Sequence, residues 1–404
     1  MMHGQAPLRI VHCVRSPIGG IFRHIVDLAT AQTRMGHEVG VICDASTGGA
    51  FEEAIIDDVA PKLAFGVHRI GMRRHLSMSD LRATVDMLRM IKALSPDVVH
   101  GHGAKGGAFA RSIGSMIGLG GRRPLRVYCP HGGSLHYDPR TRDGAIYFRL
   151  ERFLERFTDG FVFVSDYEEN TYRAKVGMPT RPVRRVYNGL RPTEFEPIEP
   201  NAAMADLMFA GMMRDLKGPQ VLIDALCVLA DRYNLRPTVR FVGAGDDRAS
   251  YENRIATLGL QDRVTFVDPL PTREALAQGR VLIVPSLAES MPYIVLEAAA
   301  ARIPMIATHV GGIPEIFGNH SSRLIAAGDP VELASAIAHT LAHMDKARAD
   351  AMVLGREIAG RFSLDRMADE IVEFYEDMIE RKKPNHQKRS AAGTIKRIRV
   401  GQSR

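Results

Sequence analysis

Between Ser286 and Ile316 the chain reads SLAESMPYIVLEAAAARIPMIATHVGGIPEI, with Glu289 and Glu297 eight residues apart on either side of Pro292. Proline suits the first position of a helix, where its missing N–H would have been unpaired anyway. The remaining free N–H groups of that turn, together with the helix dipole, attract an anion such as a pyrophosphate. A carboxylate just before the helix, Glu289, and another about two turns inside it, Glu297, can then accept hydrogen bonds from sugar hydroxyls on either side of the anion. Ser290, Met291 and Pro292 would line the same turn. The arrangement suits a nucleotide diphosphate bonded to a sugar. Two glutamates at this spacing also fit an ordinary strand–helix unit with a solvated acid at each end, so the pair alone decides nothing.

Other residue groups bear on the same chemistry. Lys217-Gly218 precedes a helical pattern, with Arg214 three residues earlier, and would place two cations beside a pyrophosphate or else form a solvated helix start. Gly19-Gly20 and Gly243-Ala244-Gly245 each follow a strand-like run, where glycine lets backbone approach a ligand closely. His100 and His102 stand two apart on a predicted strand and so share a face. They could begin a metal site, but no cysteine or acid is positioned to complete it, and no metal is expected. His131, in YCPHGGS, could be a base, a hydroxyl partner or a satisfied polar residue.

Positioning these groups requires strands that end beside one another. Short β-branched runs alternate with helical patterns throughout, which predicts an α/β protein with parallel sheets covered on both faces. The clearer strands of the first half are 8–14, 39–44, 97–101, 125–130, 160–165 and 183–187; those of the second are 207–211, 238–242, 264–267, 281–285 and 305–308. At 404 residues two domains are expected. We place them at 1–190 and 204–362, joined by a proline-containing linker at 191–203. A C-terminal helix at 363–380 is expected to cross back to the first domain, followed by a disordered basic tail at 381–404. In doubly wound sheets ligands bind at the carboxyl ends of the strands, where the strand order reverses. All the groups above lie at predicted strand ends.

Composition narrows the function classes. Of the 53 Lys and Arg residues, nine lie beyond position 380 with no acid among them, which leaves the rest of the chain close to neutral against its 46 Asp and Glu. Nucleic-acid binding by the folded body is not expected. No apolar run is long enough to span a bilayer, and the N-terminus enters a strand without a signal-peptide pattern. Four scattered cysteines suit reduced, buried thiols, and a cytoplasmic location is expected. The basic tail, and Arg69, Arg73 and Arg74 ahead of an amphipathic run at 78–94, could hold the protein reversibly at an anionic inner membrane face.

Taken together, the motifs resemble family 4 of the retaining glycosyltransferases, of the type that builds bacterial polysaccharides. The resemblance rests on Glu289, seven residues, Glu297 and the turn Gly311-Gly312-x-x-Glu315. It also rests on DVVHGHG, on Pro130-His131-Gly132, on Lys217 six residues after Gly211, and on Val242-Gly243-x-Gly245. It runs from Leu8 to about Met378. Ser290-Met291 and Ala301-Arg302-Ile303 depart from the usual pattern, and Met212 stands where an arginine is common, with Arg214 as its substitute.

The resemblance implies a GT-B fold, two Rossmann-like domains facing across a cleft, and transfer of a hexose from a UDP- or GDP-sugar without metal or other cofactor. His131 and Glu289 would hold the sugar, Arg214 and Lys217 the diphosphate, and Glu297 the ribose. Gly19, Gly20 and Gly243 would lie beside the donor. A lipid-linked glycan is the expected acceptor. The alternatives are a small soluble acceptor, or a GT-B protein that binds nucleotide or glycan without turnover.

Overall fold

The computed structural model describes residues 6–72, 79–117, 123–198 and 203–382. Two separate parallel sheets account for its strands. The first contains β1 (Arg9–Val14), β2 (Glu38–Asp44), β3 (Val67–Ile70), β4 (Val98–His102), β5 (Leu125–Cys129), β6 (Gly160–Phe163) and β7 (Val183–Arg185), in the order β3-β2-β1-β4-β5-β6-β7. The second contains β8 (Ala205–Ala210), β9 (Val239–Val242), β10 (Val264–Val267), β11 (Gly279–Val284) and β12 (Met305–Ala307), in the order β10-β9-β8-β11-β12. Every pairing is parallel. The order reverses between β1 and β4 in one sheet and between β8 and β11 in the other, the places where such folds open a crevice.

The central strands are apolar almost without interruption because helices cover both faces. In β1 every residue after Arg9 is buried. The first helix, Gly19–Arg34, buries Phe22, Ile25, Leu28 and Ala29, the three-and-four spacing of a stripe facing a core. The last helix, Leu364–Lys382, repeats the device with Leu364, Met367, Ala368, Ile371, Tyr375 and Met378, and it packs on the first helix and on β5. One apolar cluster therefore runs from β1 and β5 through Met291, Tyr293 and Leu296 of the second half to Tyr375 near the chain's far end.

The backbone passes between the halves twice, and the two passages touch. Leu190 N–H donates to Phe362 O and Leu364 N–H to Leu190 O, both at 2.8 Å. Gly189 must be glycine here, since a Cβ would stand 2.5 Å from Ser363 O.

Some features differ from the expectations. β3 is an additional edge strand inside the stretch taken as a basic membrane contact. Arg69 on β3 is spent internally, donating to Asp44 O (2.8 Å) and Thr47 O (2.9 Å) and pairing with Glu53 (2.6 Å). Arg73, Arg74 and residues 383–404 lie outside the described residues. Pro292 is the cap of its helix, with ψ of 123°, and the first helical residue is Tyr293. The cysteines are free, three of them buried. Among the described residues no helix is long and apolar enough to cross a membrane.

Candidate active site

The loops at the two reversal points face each other. On the second half, β11 runs into Ser286–Pro292, and the left-handed Gly218 (φ 71°) packs so tightly under it that a Cβ would stand 2.0 Å from Pro285 O. That contact brings Lys217 to Glu289. Lys217 Nζ lies 2.7 and 2.9 Å from the two carboxylate oxygens, and Ser286 Oγ donates to one of them at 2.7 Å. Glu289 is buried, so an unpaired carboxylate there would be costly, and the ammonium stabilises it. Gly311 (φ 59°) and Gly312 lie beneath the same loop. A Cβ on Gly311 would meet Glu289 O at 2.0 Å, and Gly312 N–H donates to Ser290 O at 2.7 Å. The glycine pair thus fixes the backbone that carries Glu289.

Glu297 points elsewhere. It sits on the Tyr293–Ala300 helix itself, whereas Glu289 lies in the loop before that helix. Its carboxylate meets Arg23 of the first helix, a guanidinium that also pairs with Glu194 and Asp27 and lies 4.4 Å from the centre of the Tyr293 ring. Burial raises the carboxyl of Asp27, against the pull of Arg23 and Arg191. The stretch read as a linker therefore contributes Glu194 to a buried cluster of charges. Arg214, by contrast, is exposed at the start of its turn.

On the first half, the reversal point gathers histidines. Parallel register sets His12 of β1 beside His100 of β4, and the two-residue period puts His102 on the same face. His24 comes from the first helix, and His131 follows β5 in a left-handed turn (φ 51°). His12 Nδ1 is 3.0 Å from His102 Nε2, and His102 Nδ1 is 3.0 Å from His131 Nε2. His12 Nε2 meets Gln32 Oε1 at 2.8 Å, His24 Nδ1 meets Asn188 Oδ1 at 3.0 Å, and His100 Nδ1 meets the Tyr375 hydroxyl at 2.6 Å. Burial holds His12 and His24 at about 4 and pushes His100, His102 and His131 well below the ordinary value, so all five are neutral at pH 7. Two triads, His12–His100–His102 and His24–His102–His131, have ligand atoms within 4.8 Å of one another. The groups that stand beside His100 and His102 with metal-ligating atoms are thus other histidines, and not the cysteine or acid expected of such a site.

The two rims touch. Asn188 Nδ2 donates to Met291 O at 2.8 Å, so the turn after β7 bridges the halves. A Cβ on Gly132 would come within 2.7 Å of Ser290 Oγ. Glu315 accepts from the N–H groups of Asp166 (2.9 Å) and Tyr167 (2.8 Å), so a carboxylate of the second half sits at the start of the Asp166–Lys175 helix in the first. Gly20 faces Tyr293 across the same boundary, whereas Gly243 is accounted for by its neighbour, since a Cβ there would meet Gly211 O at 2.0 Å.

Besides His12, His24, Arg23 and Gln32, two more residues of the first half were not singled out in the sequence. Glu168, the third residue of the helix that Ser165 caps, accepts from Val164 N–H (3.0 Å) and Gly132 N–H beside Ser290, and burial raises its carboxyl to about 7 against those bonds. Ser165-x-x-Glu168 has the sequence form of a capping box, but the Glu168 carboxylate bonds the residue before the cap. His136 lies near Glu289, Arg214 and Lys217, and burial lowers its imidazole. Its only signal is a histidine five residues past His131.

Comparison with known proteins gives matches in both halves. The family model described as Glycosyltransferase Family 4 matches residues 18–194, and that described as Glycosyl transferases group 1 matches residues 205–343. D-inositol 3-phosphate glycosyltransferase of Corynebacterium glutamicum (strain R) is 34% identical over 180 residues, 42% of this chain and 43% of that protein. The enzyme of the same name from Geodermatophilus obscurus is 33% identical over 204 residues, 47% of this chain and 44% of that one. The matches thus span less than half the length of these curated relatives. Among solved structures, Anabaena Alr3699/HepE in complex with UDP and glucose superposes with a TM-score of 0.76 at 18% identity, covering 92% of this chain and 100% of that one. Sucrose-phosphate synthase from Thermosynechococcus elongatus gives 0.74 at 17%, with coverage of 92% and 100%. WaaG, a glycosyltransferase involved in lipopolysaccharide biosynthesis, gives 0.68 at 17%, with coverage of 91% and 99%.

Proposed function

The chain belongs to the family 4 glycosyltransferases and has the GT-B fold, and from that premise we propose that it moves a hexose from a UDP- or GDP-linked sugar to a lipid-linked oligosaccharide, with retention at the sugar carbon. The observation that carries the reading is the Lys217–Glu289–Ser286 group at the reversal point of the second sheet, set against the His131–Gly132 loop of the first.

In this reading Lys217, Arg214 and the free N–H groups at the start of the Tyr293–Ala300 helix stabilise the departing diphosphate. Glu289 and His131 hold the transferred sugar. Glu297 takes the ribose hydroxyls and shares its carboxylate with Arg23 while doing so. The acceptor oxygen attacks the face the diphosphate leaves, the bond from the sugar carbon to phosphate oxygen breaks, and that oxygen takes the acceptor's proton. No protein nucleophile is needed, unlike in retaining glycosidases. Neither a metal nor another cofactor enters the scheme.

The acid-free tail supports work at the inner membrane face in exopolysaccharide, capsule or lipopolysaccharide synthesis, by attraction to anionic lipid. A second reading, a small soluble acceptor, is favoured by the curated relatives, whose name specifies an inositol phosphate. Purified protein screened against UDP-, GDP- and ADP-sugars should release nucleotide from one donor class. A bacterial lipid extract should accelerate release in the first reading and inositol phosphate in the second. Failure to bind or cleave any donor would overturn both.

A further inference from the structure

Gln32, His12, His102 and His131 form one unbranched chain of hydrogen bonds that begins inside the first helix and ends at the cleft. Both nitrogens of His12 and both of His102 are used within it. Among the described residues His131 spends only Nε2, and of the five histidines it alone is partly exposed, which leaves Nδ1 as the chain's outlet. A neutral imidazole carries one N–H and one lone pair. Burial keeps these three neutral, so the direction of one bond dictates the direction of the next.

The direction is set at the inner end. Gln32 presents Oε1, an acceptor, to His12 Nε2. His12 must then carry its proton on Nε2 and offer the Nδ1 lone pair to His102 Nε2–H. His102 in turn offers Nδ1 to His131 Nε2–H. We propose that Gln32, acting through His12 and His102, fixes His131 in the Nε2–H form, so that His131 Nδ1 meets the substrate as a hydrogen-bond acceptor for a hydroxyl group.

Gln32, His12 and His102 are then positioning residues, and His131 selects a hydroxyl and is unsuited to hold a phosphate oxygen. An amide turned over would reverse every bond and give His131 an outward N–H, so the two settings are opposites. The identity of the hydroxyl rests on the sugar-transfer reading; the tautomer does not.

The full chain labelled with ¹⁵N-histidine separates them. Two-bond ¹H–¹⁵N spectra without substrate should show His131 protonated at Nε2, with Nδ1 at the position of a bare nitrogen. Gln32→Met should give mixed tautomers at His12 and His131 and lower kcat/KM by about threefold to tenfold, the scale of one neutral hydrogen bond. Gln32→Glu, which keeps an acceptor oxygen in place, should restore the tautomer. Protonation at His131 Nδ1 in the unaltered protein overturns the proposal, and so does a Gln32→Met spectrum unchanged at His131. Stoichiometric transition metal in the purified protein, removed by chelator with shifts at His102 and His131, also overturns it, because a metal would take the lone pairs. Should Gln32→Met fail to fold, the unaltered protein's spectrum still decides. A tautomer that follows Gln32 in a protein with no sugar transfer would sustain the relay and sink the proposed reaction.

Discussion

The two rims of the cleft stand at the same topological position in their sheets and carry opposite electrostatics. At the β8/β11 reversal the side chains are full charges, with Lys217 on Glu289 and Arg214 open to solvent. At the β1/β4 reversal they are five imidazoles held neutral by burial. The fold supplies the place, and the residues at the strand ends decide what is held there. A rim of fixed charges suits a diphosphate whose charge grows as it leaves. A rim of neutral donors and acceptors suits hydroxyls, which need direction more than field.

The sharpest way to break this contrast is to discharge the charged rim. Lys217→Ala should lower kcat by about a hundredfold to a thousandfold, the scale of removing one donor to a developing anion. Steady-state rates on folded protein would show it, and a loss confined to KM would mean that Lys217 only binds. Next, Glu297→Ala should weaken nucleotide binding by about tenfold to a hundredfold, as expected for a lost bond to a charged acceptor. Calorimetric affinity equal to that of the unaltered protein would remove Glu297 from the donor site.

The neutral rim is tested by acid. Its folded pKa values lie below the ordinary 6.5, so unfolding takes up protons under that pH. The stability these groups contribute at pH 7 is lost as pH falls from 6.5 toward 4. Calorimetric unfolding at pH 5.5 in buffers of different ionisation heat should report uptake of more than one proton; an uptake near zero would mean the cluster is charged when folded. The smallest expected effect is that of a chelator, which should leave nucleotide release unchanged. Loss restored by magnesium or manganese would end the metal-free scheme.

The charged rim was legible in sequence because most of it is local. Glu289, Pro292, Glu297 and Gly311-Gly312 fall within one strand–loop–helix–strand unit, where spacing translates directly into placement. The histidine rim was legible only in part, since His100, His102 and His131 stood out but not as one group with His12 and His24. His12, His24, His100 and His131 come from separate elements, and only the register of β1 on β4 reveals that His12 stands beside His100. Arg23 escaped notice for the same reason, since its partner Glu297 lies 274 residues away. β3 was missed because a four-residue edge strand with only Ile70 buried carries almost no periodic signal.

Leu190 and Ser363 give the molecule its mechanics. The chain's two passages between the halves are bonded side by side, so the backbone joins them at one place and not at two separated ones. Arg23 and Glu194 belong to a second set of contacts, the charge cluster that ties the first helix to Glu297. Asn188 on Met291 and Glu315 on the Asp166–Lys175 helix form a third set, the bonds that close the rims. Widening the cleft about that single joint would require breaking the bonds across the rims and would leave the backbone joint itself intact.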